Sequence, residues 1–201
     1  DSVITNSTKA SFDLRKIINK KVNTIFSPSF INVTNFKKRK NNTKNIITIT
    51  RLSIEKNIIT LLKAVELIKN ENFILKIVGD GNQKEILKNY VKNIKIEKKV
   101  KFIGFEKNIA QHLKNSDLYI NCSFFEGFPN SVVEALCYKV PVICSKSHGG
   151  IHDILKKNKF GYLSELNEKS FSVLILKFLK SDTSFKKKTL LAQNAIKKFN
   201  L

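Results

Sequence analysis

Two glutamates, Glu126 and Glu134, lie eight residues apart in the stretch "SFFEGFPNSVVEALCYKVPVIC" and are the first candidates for chemistry. Paired carboxylates serve in acid–base catalysis, and a carboxylate is also a strong acceptor for the hydroxyls of a sugar. Gly127 and Pro129 interrupt any continuous helix between them, and proline suits a first helical turn. We therefore expect Glu126 in a loop and Glu134 on the helix that follows.

The predicted start of this helix is a candidate anion site. The core face of the helix has the spacing i, i+3, i+4, i+7, at Val133, Leu136, Cys137 and Val140. The free N–H groups at the helix start attract an anion, which favours a phosphate at the amides and a hydroxylated ring at each carboxylate. An alternative stays open, because "SVVE" at 131–134 also matches a capping box, in which the glutamate bonds back to the cap.

A second anion signal is the stretch "ITRLSIEKN" at 49–57. Ser53 is the predicted N-cap of a helix, which places Lys56 in the first turn, where a cation opposes the helix dipole. A lysine at this position is explained if the turn faces a phosphate that both Lys56 and Arg51 bind. The alternative is a pair of surface cations in a lysine-rich chain.

Other motifs are weaker. The stretch "GDGNQK" at 79–84 lacks the third glycine of a dinucleotide fingerprint, and the sequence has no Walker-A loop. It also has no Asp-x-Asp, so a metal-bridged diphosphate is not expected. "SHGG" at 147–150 is predicted to be a turn. We therefore expect neither a metal nor a cofactor.

The formal net charge of +21 is typical of proteins that bind nucleic acid. Lys, Ile and Asn number 34, 25 and 22, a bias that AT-rich codons produce, and the lysines are spread along the whole chain. This distribution argues against nucleic-acid binding and leaves attraction to an acidic membrane surface as an alternative. No apolar run reaches the ~18 residues of a membrane helix.

The cysteines at 122, 137 and 144 show no C-x-x-C spacing and lie among apolar residues. They are expected to be buried, reduced thiols of a cytoplasmic protein. The sequence contains no methionine, so we expect a processed chain or a fragment of a longer protein.

Predicted strands and helices alternate along the chain. Strands are expected at 45–50, 72–81, 99–104, 117–122, 140–144 and 160–163, with helices between them and at 168–180 and 184–199. This rhythm predicts an α/β fold with a doubly wound, Rossmann-like parallel sheet. Such sheets bind ligands beyond the carboxyl ends of their strands, here the turns after residues 50, 79, 104 and 122.

Four segments are predicted. Residues 1–26 are interpreted as the tail of a truncated N-terminal domain and 27–44 as a hinge or linker. Residues 45–183 form the ligand-binding domain. Residues 184–201 form a C-terminal helix, with a crossing to the N-terminal domain as one option.

The stretches "RLSIEKN", "VGDGN", "VKFIGF" and "DLYINCSFFEGFPNSVVEALCYKVPVICSKSHGGIHDIL" resemble the C-terminal, donor-binding half of retaining glycosyltransferases of family 4. Members of that family have the GT-B fold. Its E-x7-E element is matched by Glu126 and Glu134, and the resemblance runs from about residue 45 to 165.

The resemblance implies roles for these residues. Arg51 and Lys56 correspond to contacts with the donor diphosphate, Glu134 to the ligand of the ribose hydroxyls, and Glu126 to the catalytic glutamate near the transferred sugar. The implied donor-binding set is Arg51, Lys56, Phe128, Pro129, Asn130, Ser131, Val132 and Glu134. The residues implied to border the base are Gly104, Phe105 and Glu106.

The implied activity is transfer of a hexose, with retention, from a UDP- or GDP-sugar to a glycan or lipid-linked acceptor. The family's reaction resembles a front-face displacement, needs no metal, and also requires the N-terminal domain that is missing here. The implied location is cytoplasmic, with attachment to the inner face of the plasma membrane as an option. The alternatives are a nucleotide-sugar epimerase of GT-B fold, a donor-binding fragment without activity, and a basic module that binds nucleic acid or membrane.

Overall fold

The computed structural model describes residues 2–5, 8–18, 21–24 and 42–197. The chain begins with a small unit of strand β1 (Ser2–Thr5), helix α1 (Thr8–Arg15) and strand β2 (Lys21–Thr24). The two strands pair in parallel, and α1 contacts β9 of the following domain, a strand at His148–Gly149. Most of the predicted linker lies outside the described residues, and the four predicted segment boundaries stay predictions.

The main domain alternates strands and helices, as the sequence predicts. Its strands are β3 (Lys44–Ile49), β4 (Phe73–Val78), β5 (Val100–Gly104), β6 (Leu118–Asn121), β7 (Phe125–Glu126), β8 (Val142–Ser145), β9 (His148–Gly149) and β10 (Tyr162–Ser164). Its helices are α2 (Ile58–Leu67), α3 (Lys84–Asn93), α4 (Ala110–Lys114), α5 (Asn130–Cys137), α6 (Ile151–Leu155), α7 (Glu168–Lys180) and α8 (Thr183–Lys197).

Six of these strands form one parallel sheet in the order β10-β8-β6-β3-β4-β5. From β3 the chain builds outward through β4 and β5, then returns to add β6 on the other side of β3. The sheet therefore has its topological switch point between β3 and β6, where doubly wound folds form their ligand crevice. The predicted α/β, Rossmann-like class is confirmed.

The core lies on both faces of this sheet. Ile46 packs in a cluster with residues of α2 and α7, while its neighbour Ile47 packs on the other face with residues of α5. Both isoleucines are fully buried. A strand covered on both faces reads as a continuous apolar run, which is why "NIITI" lacks polar alternation.

Helix α8 packs on the same domain. Phe185, Thr189 and Ala192 are buried on its inner side, and Gln193 donates its Nε2 to the carbonyl oxygen of Leu136 at the end of α5, at 3.2 Å. Because these inner residues follow one another at helical spacing, the opposite side of α8 faces outward.

The three cysteines are free thiols, as expected. Cys122 and Cys144 are buried, and Cys137 is half-buried. Burial raises the pKa of Cys122 to about 12, so this thiol stays protonated at neutral pH. A protonated, buried thiol is not a nucleophile, so Cys122 and Cys144 belong to the core, whereas Cys137 is less buried than expected.

Candidate functional site

The two predicted anion-binding turns meet at the switch point. The turn after β3 is a short 3-10 helix at Ile54–Lys56, and the loop after β6 lies against it. Phe124 donates its backbone N–H to the carbonyl oxygen of Glu55 at 2.9 Å, and the Cys122 thiol contacts the carbonyl oxygen of Lys56 at 3.4 Å. Two segments far apart in the sequence therefore form one site.

Lys56 and Glu126 form an ion pair in this site. Nζ of Lys56 lies 2.9 Å from Oε1 of Glu126, and the side chains are only 19% and 11% exposed. Asn121 donates its Nδ2 to the same oxygen at 3.0 Å, and the Ser123 hydroxyl donates to it at 2.6 Å. Lys56, predicted to bind phosphate, and Glu126, predicted to be catalytic, therefore contact each other directly.

Arg51 is exposed and bonds outside this pair. Its Nη2 donates to Oε1 of Glu55 at 3.0 Å, and Ser53 donates to the same oxygen at 2.7 Å. The bond from Ser53 is the main cause that lowers the pKa of Glu55. Arg51 is thus held near the site by an exposed contact that a competing anion can replace.

The predicted N-cap after β3 is correct in position but belongs to the 3-10 helix and not to α2. Ser53 precedes Ile54–Lys56 as the N-cap residue, but its hydroxyl bonds to Glu55 and makes no cap bond, and Lys56 lies in this short helix before α2 begins. Asn57 then adopts the left-handed conformation with φ of 51° and precedes α2. Asparagine tolerates this conformation better than most residues, so the chain can turn sharply between the two helices.

The backbone of Glu126 is fixed by the segment predicted as a turn. His148–Gly149 forms the short strand β9, which pairs with β7. Gly149 has a φ of +111°, and a Cβ there would lie 1.6 Å from the carbonyl oxygen of Glu126. Gly150 donates its N–H to the carbonyl oxygens of Glu126 and Gly127 at 3.1 and 2.8 Å. "SHGG" therefore supports the loop of Glu126, which a local turn prediction did not foresee.

The predicted capping box on α5 is absent. Ser131 lies inside the helix, and its hydroxyl accepts a hydrogen bond from the buried hydroxyl of Tyr119 at 2.7 Å. No described residue donates a side-chain hydrogen bond to Glu134, whose carboxylate is half-buried. This burial raises its pKa above the ordinary value of 4.5. A desolvated carboxylate that none of the described side chains bonds is suited to hydrogen-bond a ligand.

The first turn of α5 supplies amides beside these carboxylates. The helix starts at Asn130 after Pro129, as predicted. The first N–H groups of any α-helix have no acceptor within the helix, here those of Asn130 and Ser131. Phe128 precedes the helix, and Val132 lies within its first turn, where its N–H bonds to the carbonyl oxygen of Pro129 at 3.0 Å. The predicted amide segment therefore spans the start of α5.

The residues predicted to border the base follow β5 on the same edge of the sheet. Gly104 has a φ of +90°, and its carbonyl oxygen accepts the N–H of Gly79 at 2.7 Å. The Phe105 side chain is 76% exposed, and Glu106 is exposed beside it. An exposed aromatic ring at this edge offers a stacking surface, and its assignment to a base stays a prediction.

The "GDG" stretch after β4 serves packing. Gly79 has a φ of +135°, and a Cβ there would lie 1.8 Å from the carbonyl oxygen of Thr50. Leu52 donates its N–H to the carbonyl oxygen of Asp80 at 2.8 Å and accepts from the N–H of Gln83 at 2.9 Å. These glycines let the loop after β4 support the turn that carries Arg51 and Lys56.

Four residues of the site were missed by the sequence reasoning: Asn121, Ser123, Gly149 and Gly150. A signal was present for Asn121, because a polar residue ends an otherwise apolar strand, "DLYIN". Its side chain is buried, so it needs a partner, and that partner is Glu126. The glycines carry no local signal, because the backbone that they approach is remote in sequence.

Within the described ranges, no group of three or more His, Cys, Asp and Glu side chains could hold a metal ion. The expectation that the reaction needs neither metal nor cofactor stays a prediction. In the same part of the chain, none of the helices combines the length and hydropathy needed to cross a bilayer.

The fold and site define a Rossmann-like α/β domain with a lysine–glutamate ion pair at its switch point. A family profile described as "Glycosyl transferases group 1" matches residues 31–198, most of the chain. The chain belongs to this family.

Curated relatives agree with this assignment. The N-acetylgalactosamine-N,N'-diacetylbacillosaminyl-diphospho-undecaprenol 4-alpha-N-acetylgalactosaminyltransferase of Campylobacter jejuni is 28% identical over 144 residues, 72% of this chain and 39% of the relative. An alpha-1,4-N-acetyl-D-galactosaminyltransferase of the same organism is 32% identical over 145 residues, 71% of this chain and 40% of the relative. The chain thus spans about two fifths of these relatives.

Solved structures show the same architecture. A point mutant of TarM from S. aureus, crystallised with Fondaparinux, alpha-GlcNAc-glycerol and UDP, superposes with a TM-score of 0.88 at 24% identity. The match covers 98% of this chain and 40% of TarM. The predicted GT-B architecture is therefore confirmed.

Proposed function

We propose that this chain is the donor-binding half of a retaining hexosyltransferase that takes a UDP- or GDP-sugar and acts on a glycan or lipid-linked acceptor. The observation that carries the proposal is the Lys56–Glu126 pair at the switch point, followed along the chain by a half-buried carboxylate, Glu134, that no described side chain satisfies.

The diphosphate is assigned to the two cations. An ammonium group has three hydrogens, so Lys56 can keep its bond to Glu126 and still donate to a phosphate oxygen. Arg51 is exposed and exchanges Glu55 for a second phosphate oxygen, which its planar fork suits. The first amides of α5 complete the anion site, because the helix dipole favours negative charge there.

The two sugars of the donor are assigned to the two glutamates. The ribose hydroxyls donate to Glu134, and a hydroxyl of the transferred hexose donates to Glu126. In the front-face displacement, the acceptor oxygen bonds to the anomeric carbon on the side from which the diphosphate leaves. The acceptor proton passes to an oxygen of the departing diphosphate, so neither glutamate has to act as a nucleophile.

The relatives support the substrate class. Two named relatives are N-acetylgalactosaminyltransferases, and their acceptors are undecaprenol-linked by name. TarM was crystallised with UDP. Because the chain spans about two fifths of these relatives, the acceptor site is assigned to the remaining part. We expect the 201-residue chain alone to bind donor without transferring the sugar.

Calorimetry with the 201-residue chain tests donor binding. UDP should bind more tightly than uridine, and one member of a panel of UDP-N-acetylgalactosamine, UDP-galactose, UDP-N-acetylglucosamine and GDP-mannose should bind more tightly than its nucleoside diphosphate. Each charge-assisted bond contributes ~1.5–3 kcal/mol, so the diphosphate should add roughly tenfold or more in affinity. Equal affinities for uridine, UDP and the sugars would contradict the proposal. Affinity for random DNA that falls steeply with salt would favour the basic-module alternative.

We further propose that the outward side of α8 attaches the protein to an anionic membrane surface. Leu190 and Leu191 are 58% and 40% exposed there, and Lys186 and Lys187 are exposed beside them. Each lysine near such a surface contributes ~1 kcal/mol, and each inserted leucine ~1.5–3 kcal/mol.

Replacing both leucines by glutamine should therefore weaken binding to phosphatidylglycerol vesicles by roughly tenfold or more in a co-sedimentation assay. The matched control is the double change Ile86→Gln and Val173→Gln, which removes two apolar side chains of α3 and α7 that are at least as exposed, 58% and 63%. Equal vesicle binding by the two double variants would exclude α8 as the membrane contact.

A further inference from the structure

The carboxylate of Glu126 is held from one side. All three donors that reach it, Nζ of Lys56, Nδ2 of Asn121 and the Ser123 hydroxyl, bond to the same oxygen, Oε1. No described residue donates to Oε2. A carboxylate oxygen bound by three donors has little capacity for a fourth, so ligand hydroxyls are directed to the other oxygen.

The orientation of the Asn121 amide is fixed as well. Its Oδ1 accepts the backbone N–H of Ser123 at 3.4 Å, so Nδ2 is the atom that faces Glu126. Asn121 lies at the end of β6 and is 3% exposed. A buried amide with both ends bonded cannot rotate without losing both contacts.

Ser123 connects this contact to the next strand. Its carbonyl oxygen accepts the hydroxyl of Ser145, at the end of β8, at 2.6 Å. Both serines are buried. A hydrogen-bonded chain thus leads from β8 through the loop after β6 to Glu126, and rigid elements of the sheet set the position of the carboxylate.

We propose that Asn121 and Ser123 are positioning residues that hold Glu126 by Oε1 and keep Oε2 for a hydroxyl of the transferred sugar. This inference rests on the proposed function, since it takes a nucleotide-sugar as the ligand. The inference goes beyond the proposed function because it assigns selectivity for the sugar, as opposed to the nucleotide, to two side chains that need not touch the donor.

The substitution Asn121→Asp tests this assignment, because it keeps the shape of the side chain and replaces the N–H donor by a carboxylate. The measured quantity is the sugar increment, the affinity for the best donor of the panel divided by that for its nucleoside diphosphate. At about pH 8 the introduced carboxylate repels Glu126, and the increment should fall roughly tenfold.

At about pH 5.5 the same variant should regain its increment. Two carboxylates that share one site have one raised pKa, so the introduced group takes a proton and can again donate to Oε1. The substitution Asn121→Leu offers no such proton, and its increment should be low at both pH values. If Asn121 only supported the fold, the sugar increment of Asn121→Asp would not recover at low pH while that of Asn121→Leu stayed low.

Two further variants complete the experiment. Asn93→Asp makes the same charge change at the exposed end of α3 and should keep the full increment at both pH values. Ser123→Ala removes one bond without adding charge and should reduce the increment severalfold, which keeps the test valid if Asn121→Asp fails to fold.

An unchanged increment in folded Asn121→Asp at about pH 8, or in folded Ser123→Ala, would overturn the positioning role alone. If the unmodified chain binds a nucleoside diphosphate but no donor of the panel more tightly, the positioning role fails with the sugar assignment. If it binds no nucleotide at all, the proposed function fails as well, so the failures are distinguishable.

Discussion

Replacing Lys56 by methionine should lower the free energy of unfolding by about 1–3 kcal/mol, because Glu126 loses its counter-charge in a largely but not fully buried ion pair. The substitution keeps the length of the side chain and removes only the ammonium. Glu126, whose side chain is 11% exposed, then keeps two neutral donors, from Asn121 and Ser123, but no counter-charge. Denaturant unfolding measures the loss.

The cause can be separated from a packing defect by a second substitution. Glu126→Gln in the Lys56→Met background removes the uncompensated charge, so the double variant should be more stable than Lys56→Met alone. The matched control is Lys88→Met, which breaks an exposed pair with Glu85 and should cost less than ~1 kcal/mol. Equal losses in the free energy of unfolding for Lys56→Met and Lys88→Met would show that the Lys56–Glu126 pair stabilises the fold no more than an exposed ion pair does.

Lys56→Met should also reduce affinity for UDP by roughly tenfold or more while leaving affinity for uridine unchanged. The reason is that the ammonium is assigned to the diphosphate and not to the nucleoside. An equal loss of affinity for uridine and UDP would show that Lys56 does not bind the diphosphate.

Replacing Glu134 by glutamine should reduce donor affinity by roughly tenfold while the fold survives. A carboxylate accepts from both ribose hydroxyls, whereas the amide keeps one acceptor and replaces the other with a donor. Burial raises the pKa of Glu134, so in the free protein its ionisation opposes folding above the pKa of the unfolded chain. Glu134→Gln should therefore be at least as stable as the unmodified chain at neutral pH.

The raised pKa of Glu134 predicts a pH effect as well. Ribose hydroxyls bond the charged carboxylate, so donor affinity should fall as the pH drops through the folded pKa, which lies above 4.5. The glutamine variant has no such group, and this part of its pH dependence should disappear. Calorimetry with both proteins over the same pH range provides the comparison.

A 2′-deoxy donor identifies the hydroxyl involved. It should bind more weakly than the ordinary donor to the unmodified chain, and with little further loss to Glu134→Gln. The four affinities form a double-mutant cycle, in which a coupling of about 0.5 kcal/mol or more indicates direct interaction. Additive losses would mean that Glu134 does not touch the 2′-hydroxyl.

The sequence by itself determined the class of fold and the location of the site. Apolar runs such as the one containing Ile46 and Ile47 predict strands buried on both faces, and their alternation with helices permits few arrangements other than a parallel sheet. A sheet of that kind binds ligands at its carboxyl edge, where the turns that hold Lys56 and Glu126 are found. The start of α5 was also predictable, because Pro129 acts locally.

Local sequence could not decide which partner each polar side chain takes. "SVVE" fits a capping box as well as a ligand site, and only the packed structure shows the Ser131 hydroxyl bonded to Tyr119 and Glu134 without a side-chain donor among the described residues. Likewise, Ser53 lies at the N-cap position of the 3-10 helix, but its hydroxyl bonds to the Glu55 carboxylate and not to a helix N–H group. These competing bonds have similar strengths, so their geometry in the folded chain selects among them.

The tertiary structure alone decided how Glu126 is held. Its ion-pair partner lies 70 residues away, and Gly149, which admits its backbone, lies on a different strand. No local pattern encodes such contacts, because they exist only after β3, β6 and β8 are aligned in the sheet. Sequence patterns report on neighbours along the chain, whereas the orientation of a buried carboxylate depends on donors that folding brings together.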